Sequence, residues 1–397
     1  MAKIILTTIG TGGDILPFIS IAEALKARGH EPTLVTHGSY ASYLDQLGIS
    51  FVPIDTAEAA EMMISNSGLL CTLPGTLTFY EQYIFPRLET ELRHLLAGIA
   101  DGATLIISRT PAFAARIAAE KTNVPVLYTF MAPAAASGWE LTKEFLTSKL
   151  GKGVNELRSK VGLAPLSSWS KWTACPRCIG LWPEWFCDVA TFSWGDLLLT
   201  GFLPNEFRHA GSESQRNDPR ELSNQARKVM ISAGTGSLLG TDFYSTLIAG
   251  CIRAGCTPIV ALPVQNNISS EFLNRSIVLR FFSWQVVASA ISLICHHGGI
   301  GTISQAIRYA IPQVILPQGA DRVDNARRIK RLGLGDFESL GRSSVSSTSD
   351  LITGVLDSLS IRENCATFSL RIDGDSAVNR ICETVEEMIC LPRQSLI

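Results

Sequence analysis

The chain has 397 residues, 46% hydrophobic and 18% charged, with a formal net charge of −2. That length favours two domains with sizeable cores, and the near-neutral charge removes any bulk electrostatic case for nucleic acid. The opening MAKIILTTIGTGGD reads as strand and turn rather than signal peptide, no apolar run reaches the roughly eighteen residues of a membrane span, and ten scattered cysteines show no disulfide scaffold, so a reducing cytoplasm is expected.

Residues 3–8 (KIILTT) are apolar and β-branched and predict a strand. The loop Gly10-Thr11-Gly12-Gly13-Asp14 follows. Residues 17–28 then read as a helix, with Ile21, Ala24 and Leu25 on one face and Gly29 as its stop. Strands at 32–35, 50–53, 104–108 and 124–129 alternate with helices that end near Leu47 and Lys121. This rhythm implies a parallel sheet covered on both faces. The glycine loop fails as a dinucleotide site: Ile15 stands where a third glycine belongs, and the second strand ends Thr36-His37 without an acid for a ribose. Asp14 fits two roles, an N-cap for the helix or a proton-accepting carboxylate. Residues 56–100 and 139–195 break the rhythm and suggest insertions or helical excursions. Six of the seven tryptophans fall between Trp139 and Trp194. That density suits an apolar pocket or its lid, with ordinary core packing the alternative for each ring. Cys175-x-x-Cys178, with Cys187 beyond, lacks the second pair of a zinc site, so packing is expected and no metal.

The polar stretch 206–225 reads as a linker. A second alternating set opens with a strand at 228–233 and the turn Gly234-Thr235-Gly236-Ser237. A helix at 242–253, stopped by Gly255, and strands at 257–262 and 277–281 come next. Phe282-Ser283-Trp284-Gln285 precedes the most informative stretch, 295–332, CHHGGIGTISQAIRYAIPQVILPQGADRVDNARRIKRL. A strand at 291–295 stops at His296-His297, and Gly298-Gly299-Ile300-Gly301-Thr302 opens a helix that Pro312 ends. A strand at 313–316 and a helix from about Asp321 follow, and residues 349–389 read as two or three helices. The glycines allow a tight turn and remove Cβ atoms that would block a ligand, while the helix behind them offers free N–H groups and the positive end of its dipole. That is a phosphate site, and a histidine beside it can donate to a phosphate oxygen. A plain glycine turn with structural histidines is the alternative.

The order His296-His297-Gly298-Gly299-x-Gly301-Thr302, a Pro-bounded strand, then Pro317-x-x-x-Asp321-x-x-x-Asn325-Ala326 resembles the donor-binding signature of GT-B glycosyltransferases, in particular the bacterial branch of antibiotic, sterol and rhamnolipid enzymes. Gly12-Gly13-Asp14-x-x-Pro17, followed by Ala22-x-x-Leu25-x-x-Arg28-Gly29-His30, resembles the opening of the same enzymes. The resemblance implies an α/β GT-B fold of two Rossmann-like parallel-sheet domains facing across a cleft. An acceptor domain would span 1–205, the linker 206–225 and a nucleotide-sugar domain 226–375, with a helix at 376–397 crossing back onto the first domain.

By position, the resemblance puts His297 on the donor pyrophosphate. His296, Gly299, Ile300, Gly301, Thr302, Thr235 and Gly236 would complete the phosphate cradle. Phe282 or Trp284 would stack on the nucleobase with Gln285 alongside. Gln305 would sit at the ribose, where many UDP-sugar members carry glutamate; glutamine is consistent with a deoxyribose. Asp321 would bind sugar hydroxyls, with Arg322 replacing the usual glutamine. Asp14 would be the base, beside an acceptor pocket containing Gly13, Trp139 and Trp182; if it is only a cap, His37, Glu81 and Glu140 are the next bases to test. The implied reaction is inverting transfer of a hexose or deoxyhexose, without metal or cofactor. The nucleotide diphosphate sugar (UDP or dTDP) is the co-substrate, and a small apolar or aromatic natural product or lipid is the acceptor. Arg327, Arg328, Lys330 and Arg331 read as a solvated helix face or, alternatively, a peripheral lipid-headgroup patch. The competing functions are a nucleotide-sugar epimerase and a non-catalytic helper of a glycosyltransferase.

Overall fold

The computed structural model describes residues 1–188, 197–204, 227–235, 240–262, 268–279, 282–319 and 321–391; the expected linker and Gly236 lie outside these. The chain divides into two compact units, Met1–Leu203 with Asp373–Ile397, and Pro204–Ile372.

The first unit begins with β1 (Lys3–Thr7), α1 (Gly12–Ala27), β2 (Glu31–Thr36), α2 (Ala41–Gln46) and β3 (Ser50–Pro53). The stretch that broke the rhythm is helical: α3 (Ala57–Ser65), α4 (Leu73–Phe79), a π turn at Tyr80–Ile84 and α5 (Phe85–Ala100). Then come β4 (Ala103–Arg109), α6 (Phe113–Thr122), β5 (Val126–Phe130), α7 (Pro133–Ser137), α8 (Trp139–Lys160), α9 (Trp169–Trp172), β6 (Cys178–Gly180) and β7 (Leu197–Leu199). The seven strands are parallel in the order 3-2-1-4-5-6-7. β6 and β7, three residues each, were not among the expected strands.

The second unit holds β8 (Lys228–Ser232), α10 (Thr241–Arg253), β9 (Thr257–Ala261), α11 (Ser270–Leu273), β10 (Ile277–Leu279), α12 (Trp284–Val287), β11 (Leu293–His296), α13 (Ile300–Arg308), β12 (Gln313–Ile315), α14 (Arg322–Arg331), β13 (Gly335–Phe337), α15 (Val345–Asp357) and α16 (Leu359–Ser369). Its six strands are parallel in the order 10-9-8-11-12-13. Gly255, at φ +71, stops α10 as expected: its N–H reaches Ile252 O at 3.1 Å, and the Cys256 N–H reaches Cys251 O at 3.1 Å.

The last helix, α17 (Gly374–Cys390), belongs to the first unit, where Ala377, Ile381, Cys382, Val385 and Met388 join the core beneath α1. Among the described residues no helix is long and apolar enough to cross a membrane.

Both sheets reverse direction in mid-order, the first between β1 and β4, the second between β8 and β11. At such a switch point the connections leave on opposite faces and open a crevice beyond the carboxyl ends of the strands. The glycine loops of the sequence follow β1, β8 and β11, so each unit carries its loops at its own switch point.

Candidate active site

In the first unit α1 starts at Gly12, five residues before the expected position, and accommodates Pro17 internally. Thr11 is the N-cap and Asp14 the third helical residue, a reciprocal capping box in place of the expected Asp14 N-cap. The Thr11 N–H donates to Asp14 Oδ2 at 2.9 Å. Arg109, the last residue of β4, brings Nε within 3.0 Å of Asp14 Oδ1, an ion pair whose N–H is not aimed well enough to be a hydrogen bond. A Cβ on Gly10 would strike the Asp14 carboxylate, so only glycine fits that turn. Gly13 has open space beside it, its nearest neighbour being Thr11 Oγ1, 3.9 Å from where a Cβ would be. Two residues that the sequence reading did not single out surround this pair. Burial raises the Tyr40 phenol, and the Asp14 charge adds to it. Burial also raises the Tyr80 phenol, against a smaller pull from Arg109. Both come from segments with no motif, so only folding could reveal them.

Several expected first-unit residues sit elsewhere. Trp139 is 4% exposed and Trp182 0% exposed. Their indole N–H groups donate to Thr173 O at 3.3 Å and Cys187 O at 3.1 Å. They are core rings, and the expectation of an acceptor pocket lined by them is corrected: an indole whose one donor is satisfied internally gains most by burying its whole ring. His37 is 0% exposed, with both ring nitrogens engaged, and is withdrawn as an alternative base. Glu81 is exposed on the π turn. The side chain of Glu140 lies outside the described residues.

In the second unit the two adjacent histidines separate. His296 is the last residue of β11 and fully buried. The Gly298 N–H donates to its Nδ1 at 3.1 Å, so Nε2 carries the proton and donates to Gln313 Oε1, also at 3.1 Å. Burial lowers its pKa to about 4, with Gln313 opposing weakly. The expected phosphate contact is therefore corrected: His296 pins the loop from behind.

His297 turns the other way. Its ring lies in a slot between Gly234 and Gly299, and a Cβ on either would collide with it. Nδ1 is buried without a hydrogen-bond partner. Burial, then the charges of Arg322 and His296, hold the imidazole well below its ordinary pKa; the Ser232 backbone opposes them weakly, at a geometry short of a hydrogen bond. Gly298 has φ +90 and its carbonyl accepts from Asn325 Nδ2 at 3.0 Å. The same amide group donates to Asp321 Oδ2 at 2.9 Å. Asn325 thus ties the acid at the start of α14 to the glycine loop; the i,i+4 spacing of Asp321 and Asn325 was the available signal. Arg322 is buried and folds back on Gln318 O at 3.2 Å.

Along α13, Ile300, Gly301 and Thr302 form the partly exposed first turn, and Gln305 lies buried one turn on with Oε1 unpartnered. Thr235 is exposed after β8. Between the two aromatic candidates the structure separates roles. Trp284 is core, stacked on Tyr309 at 6.3 Å with 4° between planes, whereas Phe282 is partly exposed and meets Trp284 edge-on at 5.4 Å. Gln285 is exposed. The structure thus brings His297, Gly299–Thr302, Gln305, Asp321 and Arg322 to one switch point, beside Gly234.

The glycosyltransferase family 28 N-terminal domain matches residues 4–138, and the erythromycin biosynthesis protein CIII-like C-terminal domain matches residues 259–388. A sterol 3-beta-glucosyltransferase of Arabidopsis thaliana is 24% identical over 381 residues, covering 84% of this chain; the chain spans only 59% of that protein's length. Glycosyltransferase GtfE of Amycolatopsis orientalis is 23% identical over 418 residues, covering 94% of this chain and 95% of GtfE. Among solved structures, the glycosyltransferase of kitacinnamycin superposes with a TM-score of 0.75 at 16% identity, covering 98% of this chain and 99% of its own. Glycosyltransferase VinC in complex with dTDP gives 0.69 at 17% identity, covering 98% of each. Two family models at opposite ends of one chain, on two parallel sheets of the matching fold, make this chain a GT-B glycosyltransferase with a family 28 N-terminal domain and an erythromycin biosynthesis protein CIII-like C-terminal domain.

Proposed function

We propose that the chain transfers a hexose or deoxyhexose from a UDP- or dTDP-sugar to a small apolar or aromatic acceptor, a natural product or a sterol-like lipid, with inversion at the anomeric carbon. The observation that carries this reading is the His297 slot: a buried imidazole with an unpartnered Nδ1, held between two glycines at the start of α13. Its pKa is held low, so the ring is neutral when nothing is bound, and a diphosphate beside it would favour the protonated form. Free N–H groups of the first turn of α13 and the helix dipole would stabilise the charge that builds on the leaving diphosphate. Asp321, braced by Asn325, would hold sugar hydroxyls. Gln305, with its buried unpartnered oxygen, would face the ribose in place of a glutamate, and VinC is solved in complex with dTDP; both favour a thymidine nucleotide.

Asp14 would take the proton of the acceptor hydroxyl as that oxygen attacks the anomeric carbon and the diphosphate leaves. The test is a screen of UDP-, dTDP- and GDP-sugars by thermal shift, then nucleotide diphosphate release against a panel of phenols, macrolide aglycones and sterols. A true donor at a hundred times its Kd adds about 2.7 kcal/mol of stability. Asp14→Asn keeps a capping oxygen and should lower turnover by roughly 10²–10⁴-fold with donor affinity unchanged. No stabilisation by any nucleotide sugar overturns the donor reading, and a fully active Asp14→Asn overturns the base. Conversion of a nucleotide sugar to its epimer without acceptor would support the epimerase instead.

A further inference from the structure

His37 follows β2 and has no solvent exposure. The Gly10 N–H donates to its Nε2 at 3.1 Å, and Nδ1 lies 2.8 Å from Asp55 Oδ2. A ring nitrogen that accepts a backbone N–H carries no proton, so Nδ1 carries it and donates to Asp55. Asp55 Oδ2 also accepts from Arg87 Nε at 2.6 Å, and Oδ1 from the Gly38 N–H at 3.3 Å. Arg87, itself buried on α5, donates its remaining nitrogens to Tyr83 O at 2.6 Å and Ala59 O at 2.7 Å. Burial works against the Asp55 charge, but His37 and Arg87 outweigh it and hold the carboxyl below its ordinary pKa.

A buried ion pair with a histidine attached is rarely the most stable way to fill such a volume, since apolar groups of similar size often do as well or better. What the chain gains is a fixed donor–acceptor line from the helical stretch 57–100 to one backbone N–H. That N–H belongs to Gly10, whose Cα is packed against the Asp14 carboxylate and whose neighbour Thr11 donates to it.

We propose that His37, Asp55 and Arg87 are positioning residues for the transfer reaction: they lock the Gly10–Asp14 turn so that the carboxylate meets the acceptor in one orientation. This rests on the reading of Asp14 as the base. His37→Phe keeps a ring and removes the acceptor nitrogen; His37→Gln offers an oxygen to the same N–H. The probe is dTDP or UDP, whichever binds, with the acceptor found in the panel. His37→Phe should leave the nucleotide Kd unchanged and lower kcat by about ten- to a hundredfold, the scale of a misplaced catalytic group. The Gly10 amide should exchange with solvent at least tenfold faster, and His37→Gln should recover part of both. In an Asp14→Asn background His37→Phe should cost nothing further, because the group it positions is gone.

Wild-type kcat, unchanged Gly10 exchange, or a kcat loss that adds in full to that of Asp14→Asn each overturns the proposal. Should His37→Phe not fold, Asp55→Asn makes the same comparison: it keeps an oxygen but loses the charge on Arg87, and kcat must fall with Kd constant. If Asp14→Asn proves fully active, the base reading fails by itself. The relay is then judged on Gly10 exchange and His37→Phe turnover.

Discussion

A side chain at the end of a central parallel strand is enclosed by sheet neighbours, while the next residue leaves the sheet. His296 pairs in register with Ser232 and Ile315 and is buried, whereas His297 turns into the slot beside Gly234 and Gly299. The resemblance assigned both histidines to the phosphate cradle; the position of the strand end buries one and turns the other into the slot. His297→Phe keeps a ring in the slot and removes its nitrogens. One hydrogen bond to a charged group is worth roughly 1.5–3 kcal/mol, so nucleotide diphosphate affinity should fall about ten- to a hundredfold by calorimetry. Because burial favours the neutral imidazole and an anion favours its protonated form, wild-type binding should tighten as pH falls, and His297→Phe should flatten that dependence. Equal pH profiles for the two proteins would count against a phosphate contact.

At the scale of elements, β11 buries His296 and α5 buries Glu91, and these two groups push stability in opposite directions with pH. His296, on β11, has its pKa lowered by burial to about 4 from an ordinary 6.5. The unfolded chain takes up the proton first, so stability is intact above 6.5 and is lost as pH falls toward 4. The span of about two and a half pH units, at about 1.4 kcal/mol each, amounts to roughly 3 kcal/mol. Glu91, on α5, accepts from Thr7 Oγ1 at 2.5 Å, and burial raises its pKa to about 7 from 4.5, with Thr7 opposing. Here the folded state holds the proton, so the contribution is complete below 4.5 and is lost as pH rises through 7, again by roughly 3 kcal/mol. Urea denaturation of Glu91→Gln should therefore lose less stability than wild type between pH 5 and 7.5, and His296→Gln should lose less between pH 6.5 and 4. A wild-type slope in either variant would remove that group from the account.

For the whole molecule, the last helix closes the first unit although it lies more than 170 residues beyond Leu203 in sequence. Its apolar stripe does this. Ile381 is fully buried in the core beneath α1, so Ile381→Ala should cost about 2–5 kcal/mol. The same helix offers Glu386 to Arg28 at 2.9 Å and to His30 at 3.3 Å, but the Arg28 and Glu386 side chains stay 30% and 37% exposed, and Glu386→Ala should cost less than about 1 kcal/mol. Chemical denaturation of both variants measures the ratio; comparable losses would mean that charge rather than burial docks the helix.

The chain alone determined the alternation of strands and helices, the glycine turns after β1, β8 and β11, and the His297–Asp321 signature, because each is set by neighbours within a few turns of backbone: β-branched runs, helix stops, and glycines where a Cβ has no room. The same local signals missed the short strands β6, β7 and β13, and left the helical stretch 57–100 open between insertions and helices. Tertiary structure decided the rest. It buried Trp139 and Trp182, engaged both nitrogens of His37, and set Arg109 against Asp14 from a strand 95 positions later in the chain. It also joined Asp55 to Arg87 across 32 residues. Such contacts depend on which strands become neighbours at a switch point, and that is fixed only when the whole sheet closes over its core.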